Sequence, residues 1–491
     1  MLATIVASVT TILTFAGIFY YIAVLWSARS FIRRRTPQTG FAPGVSILKP
    51  VKGLDPGMYE AFASHCRQEY SGEYELLFGV SSLADPNEAP VIAAIERLKA
   101  EFPEHAVRLI ETPERLGPNG KMGNVVQLAR HARYNYVIVN DSDIRVGPTY
   151  LARIMGEFGK QGSGNRDQGT GSRGSENSSP LKPTEGLSGA PWGTGNREQG
   201  SGINSTLKPT EGLNRPPWGT GNREQGSGIS STLKPTEGLS GAPTKKVGLV
   251  TAPYRGQAHP TSENPDVGHP KSSPTLGSRL EALGISTDFF AGVLVALKMD
   301  GEIRFGLGST LAVSKTALDA SGGFEPLVDA LADDYELGRR IADAGYTVAL
   351  SREIVDTSVP AYTLDGYFAH QLRWARAIRD SRRAGYVGLM FTYGLPWALL
   401  NCLASGFAIE SLALLSLTLL ARMTVALGVG VGILGDRQVL RDLWLVPLRD
   451  LTAMAVWVWS FAGNTVTWRG ESFRLDRGVL KNSEQGRGNR D

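Results

Sequence analysis

Asp141 and Asp143 stand two residues apart, directly after the apolar run Tyr136-Val137-Ile138-Val139. Such a run reads as a strand covered on both faces. Open α/β sheets bind ligands beyond the C-terminal ends of their strands. Side chains at i and i+2 of an extended segment point the same way, so both carboxylates can face one hard cation. Mg²⁺ or Mn²⁺ held by one or two carboxylates and completed by phosphate oxygens is a common way to bind a nucleoside diphosphate. The competing reading is a solvated, Asp-rich turn.

Four further groups of residues have types and spacing suited to chemistry. Asp85 follows an apolar segment in Ser82-Leu83-Ala84-Asp85-Pro86. It can accept hydrogen bonds from a base or ribose, or it can cap the next helix. Gly117-Pro118-Asn119-Gly120-Lys121 opens a helix, where Lys121 and the helix N-terminus can steady a pyrophosphate. The spacing is not that of a Walker A loop, and an ordinary loop fits it as well. Asp333 and Asp334 head a helix predicted over 335–344, a place the helix dipole favours. Asp334 can also act there as a general base toward a hydroxyl. Last, His370-Gln371-Leu372-Arg373-Trp374 lies in a basic amphipathic stretch. Arg373 can grip phosphate in a forked geometry, and Trp374 can stack on a sugar. An interfacial helix with arginines among lipid headgroups explains the same stretch.

The elements that must position these groups alternate. Strands are predicted at Val45–Leu48, Glu75–Val80, Val107–Glu111 and Tyr136–Val139, with helices over 58–68, 87–102 and 121–132 between them. Later strands are predicted at 247–252, 309–314 and 347–350. This order implies an α/β domain with a doubly wound, mainly parallel sheet.

The 491 residues are 42% hydrophobic, but the apolar residues are unevenly spread. Residues 2–26 are nearly all apolar, long enough to span a bilayer, and are followed by Arg29, Arg33, Arg34 and Arg35. Basic residues after the span place the N-terminus outside and the next domain in the cytoplasm. A signal peptide would carry its charge before the apolar core. Three more apolar stretches cover 384–409, 412–434 and 443–468. Arg422 and Glu410 lie in or beside them, as functional groups or as parts of interfacial segments. The net charge of +4 gives no reason to expect nucleic acid as a partner. The juxtamembrane arginines suit an anionic leaflet. Cys66 and Cys402 form no metal or redox pattern.

From about 159 to 245 the chain is rich in Gly, Ser, Pro, Asn and Thr. LKPTEGL recurs from Leu181, Leu207 and Leu233, a period of 26 residues. These units hold too few apolar residues to offset the entropy of ordering, so a disordered insertion is expected. The expected organisation is therefore a transmembrane helix at 1–28 and a catalytic domain made of 40–158 and 246–365. The insertion at 159–245 interrupts that domain. An interfacial amphipathic helix at 366–383, about three membrane helices within 384–468 and a tail at 469–491 complete the chain.

The order of these motifs between apolar segments resembles membrane-bound inverting glycosyltransferases of the family 2 type, with the GT-A fold. Within that group the chain is most similar to ceramide glucosyltransferases and their bacterial relatives, including hopanoid-associated enzymes. The resemblance rests on Val45-Ser46-Ile47-Leu48-Lys49-Pro50 with Lys52-Gly53, Phe78-Gly79-Val80 with Asp85, and Asn140 to Val146. It continues through Lys246 to Val250, Ala332-Asp333-Asp334-Tyr335 and Gln371-Leu372-Arg373-Trp374. It implies that Asp85 contacts uridine, that Asp141 and Asp143 bind the metal and diphosphate, and that Asp334 is the base. It has Gln371, Arg373 and Trp374 hold the diphosphate and close over the acceptor; Lys121 is a donor-side candidate from its own turn, and Asp333 and His370 are acceptor-side candidates. The family's Q/R-x-x-R-W pattern is displaced here, with His370 in its first place and Gln371 one residue later.

The function implied is transfer of a hexose, with inversion, from a UDP-sugar to a lipid hydroxyl. The acceptor would be ceramide, a hopanoid or diacylglycerol, and the setting a bacterial inner membrane. The alternatives are a processive polysaccharide synthase, which calls for more spans, and an inactive scaffold that binds partners through its repeats.

Overall fold

A computed structural model of the chain describes residues 1–34, 40–53, 57–159, 245–258, 274–468 and 471–482. The repeat insertion, apart from its outermost residues, lies outside the described residues. The chain begins with helix α1 (Leu2–Ile32). Strand and helix then alternate through β1 (Val45–Pro50), α2 (Met58–Cys66), β2 (Tyr74–Val80), α3 (Ala89–Glu101), β3 (Ala106–Glu111), α4 (Gly120–Ala129), β4 (Tyr136–Val139) and α5 (Tyr150–Gly159). After the insertion come β5 (Val247–Thr251), β6 (Tyr254–Ala258), α6 (Leu276–Gly284), α7 (Phe290–Asp300), β7 (Leu311–Ser314), α8 (Lys315–Ala320), α9 (Asp333–Asp343), β8 (Thr347–Leu350) and β9 (Val355–Val359). The C-terminal part holds α10 (Leu364–Ser381), α11 (Arg383–Gly388), α12 (Gly394–Ala404), α13 (Ile409–Val425), α14 (Gln438–Asp442) and α15 (Val446–Ser460), then β10 (Thr465–Trp468), β11 (Glu471–Asp476) and β12 (Val479–Asn482).

Seven strands form one sheet in the order β3-β2-β1-β4-β7-β5-β8. All pairs are parallel except those of β7, which runs antiparallel to β4 and β5. Alternate side chains of each strand enter opposite cores. Ile47, Leu76, Phe78 and Ile138 pack with Phe62 of α2, Ile95 of α3 and Ile154 of α5. Leu48, Leu77, Val137 and Val139 pack with Met122 and Val125 of α4. Burial on both faces is why these strands read as unbroken apolar runs. The doubly wound sheet expected from the alternation is present. Missing from that expectation is the parallel pair β6–β9, whose strands are short and polar.

The second core continues into the apolar helices, through Val24 and Phe31 of α1, Phe290 and Leu294 of α7, and Val425 of α13. Each buried side chain of this size contributes on the order of 1.5–3 kcal/mol. The lower part of α1 is thus anchored in the same core as the sheet.

Among the described residues, three helices are long and apolar enough to cross a membrane: Leu2–Ile32, Leu276–Asp300 and Ile409–Val431. A fourth candidate is the pair Arg383–Thr392 and Gly394–Ala404, bent by 56°. The second of these helices falls within 246–365, the range expected for the catalytic domain, where the sequence reading placed no membrane-length helix. The C-terminal stretches also differ from expectation. The one at 384–409 is bent near Tyr393. The one at 443–468 yields the 15-residue helix α15 and then a strand, after a turn in which Gly463 has φ 105°. Part of the expected tail forms β11 and β12 of a three-stranded antiparallel sheet.

Close contacts hold the apolar helices together. A Cβ at Gly17 of α1 would stand 2.2 Å from Gly394 Cα, so only glycine permits this crossing. Arg422 donates from Nε and Nη2 to Asp450, both at 2.8 Å, forming a buried forked pair. In α10, Arg376 and Arg379 donate to the carbonyls of Ala462 and Gly463 at 2.9 and 3.1 Å. They satisfy backbone acceptors just beyond the end of α15, a role the headgroup reading of these arginines did not foresee.

Candidate active site

The acidic turn is built from below. Lys49, at the end of β1, is fully buried and donates to the carbonyls of Asp141 at 3.1 Å and Ile144 at 3.4 Å. Burial pushes its ammonium down to about 7, against the pull of Asp143 and Asp141. Asn140 donates from Nδ2 to Ser309 O at 2.7 Å and Thr310 Oγ1 at 3.2 Å. That ties the turn to the loop ahead of β7. The same loop meets α9, where Gly306 N–H donates to Asp334 O at 3.0 Å. A Cβ at Gly308 would stand 3.3 Å from Asp334 Oδ2 and 3.8 Å from Asp141 Oδ2. A glycine therefore separates the two acidic groups, and any side chain would fill the space between them.

Lys121 Nζ lies 2.7 Å from Asp141 Oδ1 and 3.3 Å from Asp333 Oδ2. Burial opposes its charge, but the two carboxylates outweigh burial and hold it above the ordinary lysine range. Asn119 caps α4 by accepting from Met122 N at 3.1 Å, and it donates to Ala330 O at 2.8 Å. This brings the glycine-rich turn against the segment that carries Asp333 and Asp334. Asp143 Oδ2 accepts from Thr357 Oγ1 at 2.5 Å and Ser358 N at 2.9 Å. Burial and then the charge of Asp141 raise its carboxyl above the usual range.

Asp334 accepts from Tyr335 N at 2.8 Å. Burial, then the charge of Asp333, push its carboxyl up to about 6, while Lys121 pulls the other way. A carboxyl in this range is ionised at neutral pH yet basic enough to accept a proton.

The α10 residues face the same space. His370 Nδ1 lies 3.1 Å from Glu281 Oε1, and Gln371 Nε2 donates to Glu281 Oε2 at 2.7 Å. Both candidates for the displaced motif position thus share one carboxylate. The Trp374 ring lies 4.9 Å from His370 and 6.4 Å from Phe289 between centroids. Asp141, Asp143, Lys121, Asp334, Arg373 and Trp374 line one cavity of about 1220 Å³, as do Asp333, His370 and Gln371.

Asp85 is the exception. It is half-buried, takes no part in the cavity wall, and accepts from Asn87 N and Nδ2, each at 2.9 Å. These bonds close a turn ahead of α3, whose N-cap is Glu88, so Asp85 does not cap that helix. Sequence reasoning missed Glu281, Asp288 and Arg449, which also line the cavity. The seven-residue spacing of Glu281 and Asp288 along an apolar helix was an available signal. Among the described residues, no group of three or more His, Cys, Asp or Glu side chains forms a metal cluster.

The sequence profile of glycosyl transferase family 21 matches residues 9–166 and 239–480. Ceramide glucosyltransferase 3 of Caenorhabditis elegans is 29% identical over 141 residues, which is 29% of this chain and 30% of the relative. Ceramide glucosyltransferase of Komagataella phaffii is 29% identical over 157 residues, again 29% of this chain and 30% of the relative. The chain thus aligns with less than a third of these relatives' length. Among solved structures, the mannosyltransferase PcManGT of Pyrobaculum calidifontis, in complex with GDP-Man and Mn²⁺, is 16% identical with a TM-score of 0.43. The match covers 92% of this chain and 99% of that one. That score is too low for a structural argument. The profile match covers both halves of the divided domain and most of the membrane helices, and on it the chain belongs to glycosyl transferase family 21.

Proposed function

We propose that this protein transfers a hexose from a UDP-sugar to a lipid hydroxyl, with inversion at the anomeric carbon. The observation that carries the reading is the meeting of the Asp141–Asp143 turn and Asp334 on either side of Gly308, in a cavity also walled by apolar helices. The names of the relatives, ceramide glucosyltransferases, agree with it.

Asp141 and Asp143 suit a divalent cation of the Mg²⁺ or Mn²⁺ kind. They offer two carboxylates, a donor set that the oxygens of a diphosphate can complete. When bound, the ion offsets charge on the departing UDP. Lys121 and Arg373 add positive charge on the diphosphate side. Trp374 forms a flat apolar wall against which a sugar can rest. Asp334 takes the proton of the acceptor hydroxyl as that oxygen attacks the anomeric carbon from the face opposite UDP. One base and no enzyme nucleophile give a single displacement, so an α-linked donor yields a β-glycoside. The arginines after α1 favour a catalytic domain on the cytoplasmic side.

The test is direct. Membranes containing the protein are incubated with radiolabelled UDP-sugars and a lipid extract, and the lipids are then separated. Labelled lipid is expected, and its loss in Asp334→Asn. No labelled lipid with any donor would sink the proposal. Polymer in place of a single lipid glycoside would favour a processive synthase.

A further inference from the structure

The cavity that holds Asp334 continues along an apolar wall formed by Val293, Leu389, Tyr393, Val456 and Trp457. Two charged groups that the donor chemistry does not use line the same cavity. Asp288 lies in the π-turn Ile285–Phe289 that interrupts the long helix between α6 and α7. Its side chain is 40% exposed. Arg449 of α15 is buried and borders the same cavity.

We infer that Asp288 and Arg449 are the specificity-determining contacts for the polar head of the acceptor lipid. They favour a lipid that carries both an N–H or second O–H donor and a carbonyl oxygen beside the attacking hydroxyl. The inference rests on the glycosyl-transfer reading and deepens it.

Three observations support the assignment. First, the pair is loosely engaged. Arg449 Nη2 lies 3.4 Å from Asp288 Oδ2 and 3.5 Å from Gln371 Oε1, both long for charge-assisted bonds. Arg449 Nε and Nη1 are buried with no partner. A buried guanidinium with unpaired nitrogens is costly, and a ligand oxygen would remove the cost. Second, space is reserved for it. A Cβ at Gly284 would stand 2.3 Å from Arg449 Nε, so a glycine there admits the side chain. Third, the setting is that of a functional group. Charge on an apolar helix is tolerated where it faces a cavity, and π-turns concentrate at functional sites. Gln371 connects the pair to the α10 motif, so acceptor and donor contacts share one network.

The chemistry discriminates among acceptors. An N-acylated amino-alcohol lipid offers Asp288 a donor and Arg449 a carbonyl. Diacylglycerol offers a carbonyl, but its one hydroxyl is the attacking group. A polycyclic alcohol offers no carbonyl.

The full-length protein is placed in phosphatidylcholine vesicles with the UDP-sugar that supports turnover. Ceramide and diacylglycerol are compared as acceptors for the wild type, Asp288→Asn and Arg449→Lys. The wild type is expected to prefer ceramide in kcat/KM by roughly tenfold or more. Asp288→Asn is expected to raise the KM for ceramide, leave the KM for the UDP-sugar unchanged, and erase the preference. A wild type that uses both lipids equally overturns the inference without recourse to any variant. So does an unchanged preference in both variants. A wild type that labels no lipid at all overturns the glycosyl-transfer reading, and this inference with it.

Discussion

Asp141 and Asp334 approach one another across Gly308, whose absent side chain would lie 3.8 Å from one carboxylate and 3.3 Å from the other. Asp141 ends a central strand and Asp334 begins a helix, and the loop between Phe305 and Thr310 is bonded to both. The two groups proposed to manage leaving group and acceptor are therefore spaced by backbone alone.

Gly308→Ala tests this spacing. No positive φ constrains the residue, so the fold is expected to survive. The added methyl displaces the Asp334 carboxylate by a few tenths of an ångström, touches that of Asp141, and intrudes where substrate would sit. A fall of about 10–100-fold in kcat is expected, with an unchanged thermal midpoint. Full activity would show that the space between the carboxylates is not used.

The acid limb of the activity profile is set by Asp334. Its carboxyl is pushed up to about 6 by burial and by Asp333, with Lys121 opposing. A base works only when ionised, so kcat/KM should rise with pH through about 6 and then level off. For stability the sign is reversed. The folded state holds the proton more tightly than the unfolded chain, so this group's contribution declines between the ordinary carboxylate range and about 6. Lys121→Met removes the cation facing Asp334 and moves the acid limb to higher pH. A limb that stays in place in that variant would count against Asp334 as the base. Asp334→Asn should lower kcat by about 10²–10⁴.

The Arg422–Asp450 pair is structural. Arg422→Met leaves Asp450 buried and unpaired, at a cost of about 3–5 kcal/mol. The double variant Arg422→Met with Asp450→Leu should recover most of that loss. Thermal unfolding in detergent reads both. Equal damage in the single and double variants would mean that the pair does more than neutralise itself.

Residues 160–244 repeat one 26-residue unit that lacks core-forming residues. Replacing them with a short Gly-Ser linker between Gly159 and Lys245 should leave lipid labelling and its KM values unchanged. Loss of labelling in a variant that still unfolds cooperatively would assign the repeats a function.

The sequence by itself determined the strands and the chemistry-bearing turns. Side-chain alternation along a strand is local, so Tyr136–Val139 and the acidic turn after it could be read from adjacent residues. The pairing of β7 against β4 and β5, the parallel pair β6–β9 and the C-terminal strands had no such local mark. Asp85 illustrates the limit. Its position allowed a nucleotide contact or a helix cap, and the structure bonds it to Asn87 in the turn before α3. The segment Gly306–Thr310 could be placed near the acceptor on sequence, but that Gly308 stands between two distant carboxylates is seen only in the fold. Glu281, Asp288 and Arg449 carry no motif that marks them as parts of one site. Tertiary packing alone decided that they face a shared cavity, because what a buried charge meets depends on segments far away along the chain.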